Sequence, residues 1–222
     1  MNVIEKGKTA FTHLVVTLEP GEELVTESGA MASSDKGIDI RAELKGGIFS
    51  SLIRKFFGGE SAFINTFKNK SPIPQTIVIS KTTPGDMICH ELNGNGLYLQ
   101  SGSFICCTPG IKLDVKWAGF RYMFGGEGLF RLYVHGRGKV WIGVFGALVE
   151  KDLAGELIVD TGHLVAYPPS VNYKIQLSGG IFSSFFSGEG LVGRLEGRGK
   201  VLLQTRSLGG LVGWLNPRLP RS

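Results

Sequence analysis

Two five-residue segments, Gly136-Arg137-Gly138-Lys139-Val140 and Gly197-Arg198-Gly199-Lys200-Val201, are identical and hold the sharpest chemical candidates in the chain. Paired glycines let backbone N–H groups approach an anion, and Arg137, Lys139, Arg198 and Lys200 add positive charge, so the segments are candidate sites for RNA or a small anion. The plainer alternative, a solvated β-hairpin tip, is favoured because such turns are commonly rich in glycine and charge. A phosphate-binding loop is excluded: Tyr133 and Arg194 stand where its first glycine is required, and a valine follows each lysine in place of Ser or Thr.

Glu60, Glu127 and Glu189 end three related Gly-Glu corners, and three equivalent carboxylates could bind a cation or serve as acid and base. Recurrence points instead to turn building, since a catalytic pair needs unlike environments to separate its pKa values. His13, His90, His135 and His163 are scattered and no Cys-x-x-Cys occurs, so no metal site is assigned. Cys106 and Cys107 are neighbours, as are Cys89 and His90, and on a strand such pairs point to opposite faces, which suits buried apolar thiols better than ligands. Ser33-x-x-Lys36 matches a serine–lysine pattern without its companion motifs, and Gly-x-Ser-x-Gly is absent. No catalytic residue and no cofactor follow; the chain reads as a non-enzyme.

Two aromatic segments form the remaining candidates, as interaction loops. Phe49, Phe56 and Phe57 surround Arg54 and Lys55, and Phe182, Phe185 and Phe186 are the later counterpart. These loops exceed what a small sandwich needs inside. Packing between subunits is favoured over contact with a membrane surface or a protein partner, and base stacking comes third because the phenylalanines are too contiguous for a spaced platform.

These motifs sit on a repeat. The hexapeptide Gly-Gly-Ile-Phe-Ser-Ser at 46–51 returns unchanged at 179–184, and Phe124-Gly125-Gly126-Glu127 marks a middle copy. Each copy opens on a turn and a strand, at Pro20-Gly21, Pro84-Gly85 and Ala154-Gly155, and a single glycine interrupts the next strand at Gly29, Gly102 and Gly162. The middle copy carries an insertion, Glu91 to Gly96. Units at 1–80, 81–145 and 146–207 result, followed by a tail, 208–222, in which Ser207 would cap a short helix over Leu208 to Leu215.

Within a unit the apolar period is two: Phe130, Leu132 and Val134 alternate with Arg131, Tyr133 and His135, the mark of a half-buried strand. Gly136-Arg137-Gly138 then reads as a hairpin turn before Val140, Ile142 and Val144. The expected fold is all-β: three antiparallel sandwich units about a pseudo-threefold axis, preferred to a propeller, which would have too few blades.

Composition agrees. The 33 glycines imply many turns, 42% hydrophobic residues argue against disorder, and the charge of +5 is spread along the chain without a basic tail. Three cysteines form no disulfide framework, Met1 to Lys8 is no signal peptide, and no apolar stretch suits a transmembrane helix, so a reducing cytoplasm is expected.

The order Gly-Gly-Ile-Phe, Gly-Gly-Glu-Ser-Ala-Phe-Ile-Asn (58–65), Gly-Glu-Gly-Leu (126–129 and 188–191), Gly-Arg-Gly-Lys-Val and Gln204-Thr205-Arg206 resembles the bacterial family related to the yeast altered-inheritance-of-mitochondria protein twenty-four. The resemblance covers almost the whole chain. It implies a triplicated, shortened double-stranded β-helix similar to the tryptophan RNA-binding attenuation protein, and three chains joined in a ring of nine units, hence a homotrimer. It implies no activity, and a shared fold would not transfer RNA binding.

Overall fold

A computed structural model describes residues 1–43, 64–117, 130–177 and 191–219. The repeated hexapeptides, Glu60, Glu127 and Glu189, and the aromatic segments with Phe49, Arg54, Lys55, Phe56, Phe57, Phe182, Phe185 and Phe186 lie outside the described residues.

The first strands are β1 (Asn2–Lys6), β2 (His13–Leu18), β3 (Glu23–Glu27), β4 (Met31–Ser34), β5 (Ile38–Glu43), β6 (Ile64–Asn69) and β7 (Gln75–Ile79). Then come β8 (Met87–Leu99), β9 (Phe104–Cys107), β10 (Ile111–Trp117) and β11 (Phe130–Gly143). The last four are β12 (Leu148–Asp160), β13 (Leu164–Tyr167), β14 (Val171–Leu177) and β15 (Leu191–Gln204), ahead of one helix, α1 (Leu208–Leu215). Period-two sequence builds these strands: in β2, Leu14, Val16 and Leu18 are fully buried while His13, Val15 and Thr17 are half-buried. The chain is all-β in antiparallel sheets, as expected. One sheet runs β1-β2-β7-β4, the other β12-β15-β13-β8-β11-β9-β3-β6-β5, with β10 added to β11 and β14 to β15.

The long strands organise the larger sheet. β11 pairs with β8 along one edge and, on its other edge, with β10 through residues 130–136 and with β9 through 140–142. β15 does the same with β12, β14 and β13. Nearer the N-terminus the corresponding partners are shorter: β6 takes β3 and β5, while β7 takes β2 and β4. Pro72 and Pro74 separate β6 from β7, and proline cannot donate to a ladder. Asn69 staples that break, its amide nitrogen donating to the carbonyls of Leu18 and Ile73 at 2.9 Å each and its oxygen accepting from Ser71 N–H at 2.8 Å.

The hairpin expected at Gly136-Arg137-Gly138 does not form. β11 and β15 run unbroken through their Gly-Arg-Gly-Lys segments, so Arg137, Lys139, Arg198 and Lys200 lie mid-strand and not at hairpin tips. The glycines answer to a different demand. On the far side of each strand the connection between its two short partners crosses close by. A Cβ at Gly136 would stand 2.5 Å from the Gly110 carbonyl oxygen, and one at Gly197 would stand 2.4 Å from that of Ser170. The φ values, +115° and +137°, also exclude ordinary L side chains. A turn and a close approach leave the same glycine signature in sequence, and long-range pairing selected the second.

Among the described residues the core has three clusters, and two of them cross the expected unit boundaries. One gathers Leu14, Val16, Phe67, Ile77 and Ile79 with Met87, Cys106 and Trp141; a second centres on Leu92, Leu99, Val134 and Ile142 with Cys107 and Ala166; the third holds Leu153, Tyr167, Tyr173 and Leu195. Cys106 and Cys107 thus face opposite clusters, as adjacent strand residues must. Two short strands make the crossings: β9 pairs with β3 through Val25↔Cys107 and Thr26↔Cys106, and β13 pairs with β8 through Ala166↔Leu99 and Tyr167↔Tyr98. The expected C-terminal helix is present, with Ser207 Oγ accepting from Gly210 N–H at 3.1 Å. No described helix is long and apolar enough to cross a membrane.

Candidate functional site

The four basic candidates are exposed on β11 and β15, two strands that do not pair; β13 and β8 stand between them in the sheet order. The backbone donors of Arg137 and Lys139 are engaged. Arg137 N–H donates to the Gly110 carbonyl at 3.3 Å and Lys139 N–H to Thr108 Oγ1 at 3.0 Å, so the amides that would cradle an anion already have protein acceptors. Lys200 Nζ donates to Glu150 Oε2 at 2.6 Å, and that carboxylate raises the lysine pKa. The structure does not converge these side chains on one point. Glu150 and Lys200 do act on His90 of β8, whose pKa burial lowers.

A denser cluster lies where β8 meets β13, and the sequence did not single it out. Four of the chain's five tyrosines meet there with His135 and Arg131. Strand register does the positioning: Tyr133 on β11 is opposite Tyr98 on β8, which is opposite Tyr167 on β13. The ring centroids are 4.9 Å apart for Tyr133 and Tyr98 and 5.3 Å for the stacked Tyr98 and Tyr167, with His135 stacked 5.1 Å beyond Tyr133. Gly96 makes room, since a Cβ there would overlap the Tyr133 ring.

Arg131 closes the row. Its guanidinium donates through Nη1 to the Tyr167 hydroxyl and lies 4.7 Å over the Tyr173 ring, so a residue of β11 clamps β13 and β14. At the other end His135 Nε2 is 3.2 Å from Asp114 Oδ2. Arg131, Tyr133 and His135, which alternate with Leu132 and Val134 along β11, are half-buried. The arrangement supplies stacking, cation–π contact and a charge-assisted hydrogen bond, the chemistry of a joint between strand groups.

The Gln204-Thr205-Arg206 motif is a second joint. Gln204 accepts from Phe145 N–H at 2.8 Å and donates to the Gly162 carbonyl at 2.9 Å, while Thr205 Oγ1 accepts from Ala147 N–H at 2.9 Å. It fastens the end of β15 to the start of β12.

The thiols offer a check on burial. Cys106 is fully buried and burial pushes its pKa well above the ordinary thiol range; Cys107 is equally enclosed, and Cys89 is exposed. Titration with an aromatic disulfide reagent is expected to label Cys89 alone in the folded protein and all three cysteines in denaturant. Fast native labelling of three thiols would contradict this packing.

Comparison with known proteins follows the architecture. An uncharacterised protein of Streptococcus pyogenes serotype M6 is 25% identical over 221 residues, covering 96% of this chain and 88% of its own. The crystal structure of a Streptococcus pyogenes protein superposes with a TM-score of 0.80 at 24% identity, over 98% of this chain and 99% of that one, which shows a common fold. Residues 4–206 match the family described as mitochondrial biogenesis AIM24, and the chain belongs to that family.

Proposed function

We propose that this chain is a non-enzymatic scaffold or binding protein of the reducing cytoplasm. It is built from three related units on the plan of the tryptophan RNA-binding attenuation protein and works as a head-to-tail ring of three copies that presents surface to a membrane or protein partner. One observation carries the reading. At two places in the chain a short strand, β9 or β13, lies against the outer edge of the long-strand group that precedes it, β3 or β8. Among the described residues β4 and β12 are the same two kinds of edge without such a neighbour, each at the end of its sheet.

Their surfaces fit that role. All four residues of β4 are exposed, where those of β9 and β13 are all buried. On β12, Ile158 is 47% exposed. Open strand edges invite pairing, and a heterologous contact of this kind must close into a ring or run on as a fibre. By register with the internal junctions, Ser34 occupies the place of Tyr167 and Ile158 that of Tyr98.

Light scattering is expected to give the mass of three chains. Ser34→Lys combined with Ile158→Lys sets like charges face to face and should leave a folded monomer, whereas Ser34→Glu with Ile158→Lys should restore assembly. A monomeric wild type would sink the proposal. The rival use, RNA or small-anion binding through the Gly-Arg-Gly-Lys segments, draws less support because the backbone donors of Arg137 and Lys139 are occupied.

A further inference from the structure

We propose that the C-terminal segment from Arg206 to Leu219 docks on an anionic bilayer surface, with α1 lying in the headgroup region. The proposal rests on the membrane-facing part of the function proposed above and assigns it a segment and a lipid chemistry. Helix α1, Leu-Gly-Gly-Leu-Val-Gly-Trp-Leu, contains three glycines, no charged residue and no buried residue. Eight residues are too few for an isolated helix to be stable in water, and each glycine weakens it further. The helix therefore calls for a surface to cover it.

That surface must be apolar and negatively charged. Of the twelve large hydrophobic residues exposed among the described residues, five lie in this stretch: Leu208, Leu211, Val212, Trp214 and Leu219. Such a concentration differs from the scattered exposure that is normal on protein surfaces. Beyond Glu196 the sequence has no acidic residue, while Arg206, Arg218 and Arg221 flank the helix. A second copy of the segment would bring arginine against arginine; anionic headgroups complement them. The Arg218 guanidinium lies 4.4 Å over the Trp214 indole and donates to the Trp214 carbonyl at 2.6 Å, joining an interfacial aromatic ring to a cation that can remain among headgroups.

The test is flotation of the full chain with phosphatidylcholine vesicles carrying roughly 30% phosphatidylglycerol, against phosphatidylcholine alone, at about 0.15 M salt. The wild type should float with the anionic vesicles only, and their addition should shield Trp214 from acrylamide. Leu208→Glu with Val212→Glu should lower the bound fraction at least about tenfold. Arg206→Ser with Arg218→Ser should lower it too while leaving the apolar face intact. Failure of the wild type to float, or equal flotation of the glutamate variant, would overturn the proposal. So would a fall in assembly mass of the glutamate variant without lipid, which would give the helix to a copy–copy contact. Mass measured on the same samples keeps the two proposals apart: a monomeric wild type that floats sinks the ring alone, and a trimer that does not float sinks the lipid contact alone.

Discussion

Gly136→Ala is expected to destabilise the protein by about 2–4 kcal/mol, although the change adds a single methyl group. Two costs combine. The φ of +115° is unfavourable for alanine, and the new Cβ would meet the Gly110 carbonyl oxygen at 2.5 Å, well inside contact distance. Relief requires the β9–β10 connection to move, which would strain the bond from Arg137 N–H to that same carbonyl. Gly155 separates the two costs: its φ is +125°, but nothing lies within 4 Å of a Cβ there, so Gly155→Ala should lose only about 1 kcal/mol. Arg137→Ala, at the exposed position beside Gly136, should stay within about 0.5 kcal/mol. Denaturant midpoints at constant slope measure all three. If Gly136→Ala proved no worse than Gly155→Ala, close packing of the connection against β11 would not be the reason for the glycine.

That contrast also marks where sequence reasoning runs out. Signals confined to one segment were legible: the inward face of Val134, Val140, Ile142 and Val144, the opposite faces of Cys106 and Cys107, and the Ser207 cap on α1. All depend on residues within one or two turns or a few strand positions of one another. The Gly-Arg-Gly-Lys segments were located correctly as special and assigned the wrong geometry, because the backbone that crowds Gly136 comes from Gly110 and is brought there by β10 pairing. The tyrosine row was out of reach for the same reason. Tyr98, Tyr133, Tyr167 and Tyr173 are scattered along the chain, and only the joint register of β8, β11 and β13 with the packing of β14 makes them neighbours. Long-range register is chosen by the total burial of many strands, and no single motif encodes it.

The second large effect concerns this row. Tyr167→Ala is expected to cost about 3–5 kcal/mol, since the ring is 1% exposed, stacks on Tyr98 and leaves a cavity that two paired strands cannot collapse to fill. Arg131→Met keeps most of the side-chain volume but removes the guanidinium from Tyr167 and Tyr173, and should cost about 2 kcal/mol. Lysine is a poor substitute, for a compact ammonium cannot both lie flat over Tyr173 and reach the Tyr167 hydroxyl in the manner of a planar guanidinium, so Arg131→Lys should recover less than half of the loss. Tyr167→Phe isolates the hydroxyl. With Arg131→Met it completes a double-mutant cycle whose coupling energy should be about 1–2 kcal/mol. The same variants report on the joint as well as on stability: because Arg131 reaches from β11 to β13 and β14, its loss should speed amide exchange in β13 more than in β2, which belongs to the other sheet. Coupling near zero, or uniform acceleration of exchange in both strands, would mean that the row merely fills space and that the backbone pairing of Tyr98 with Tyr167 holds the joint unaided.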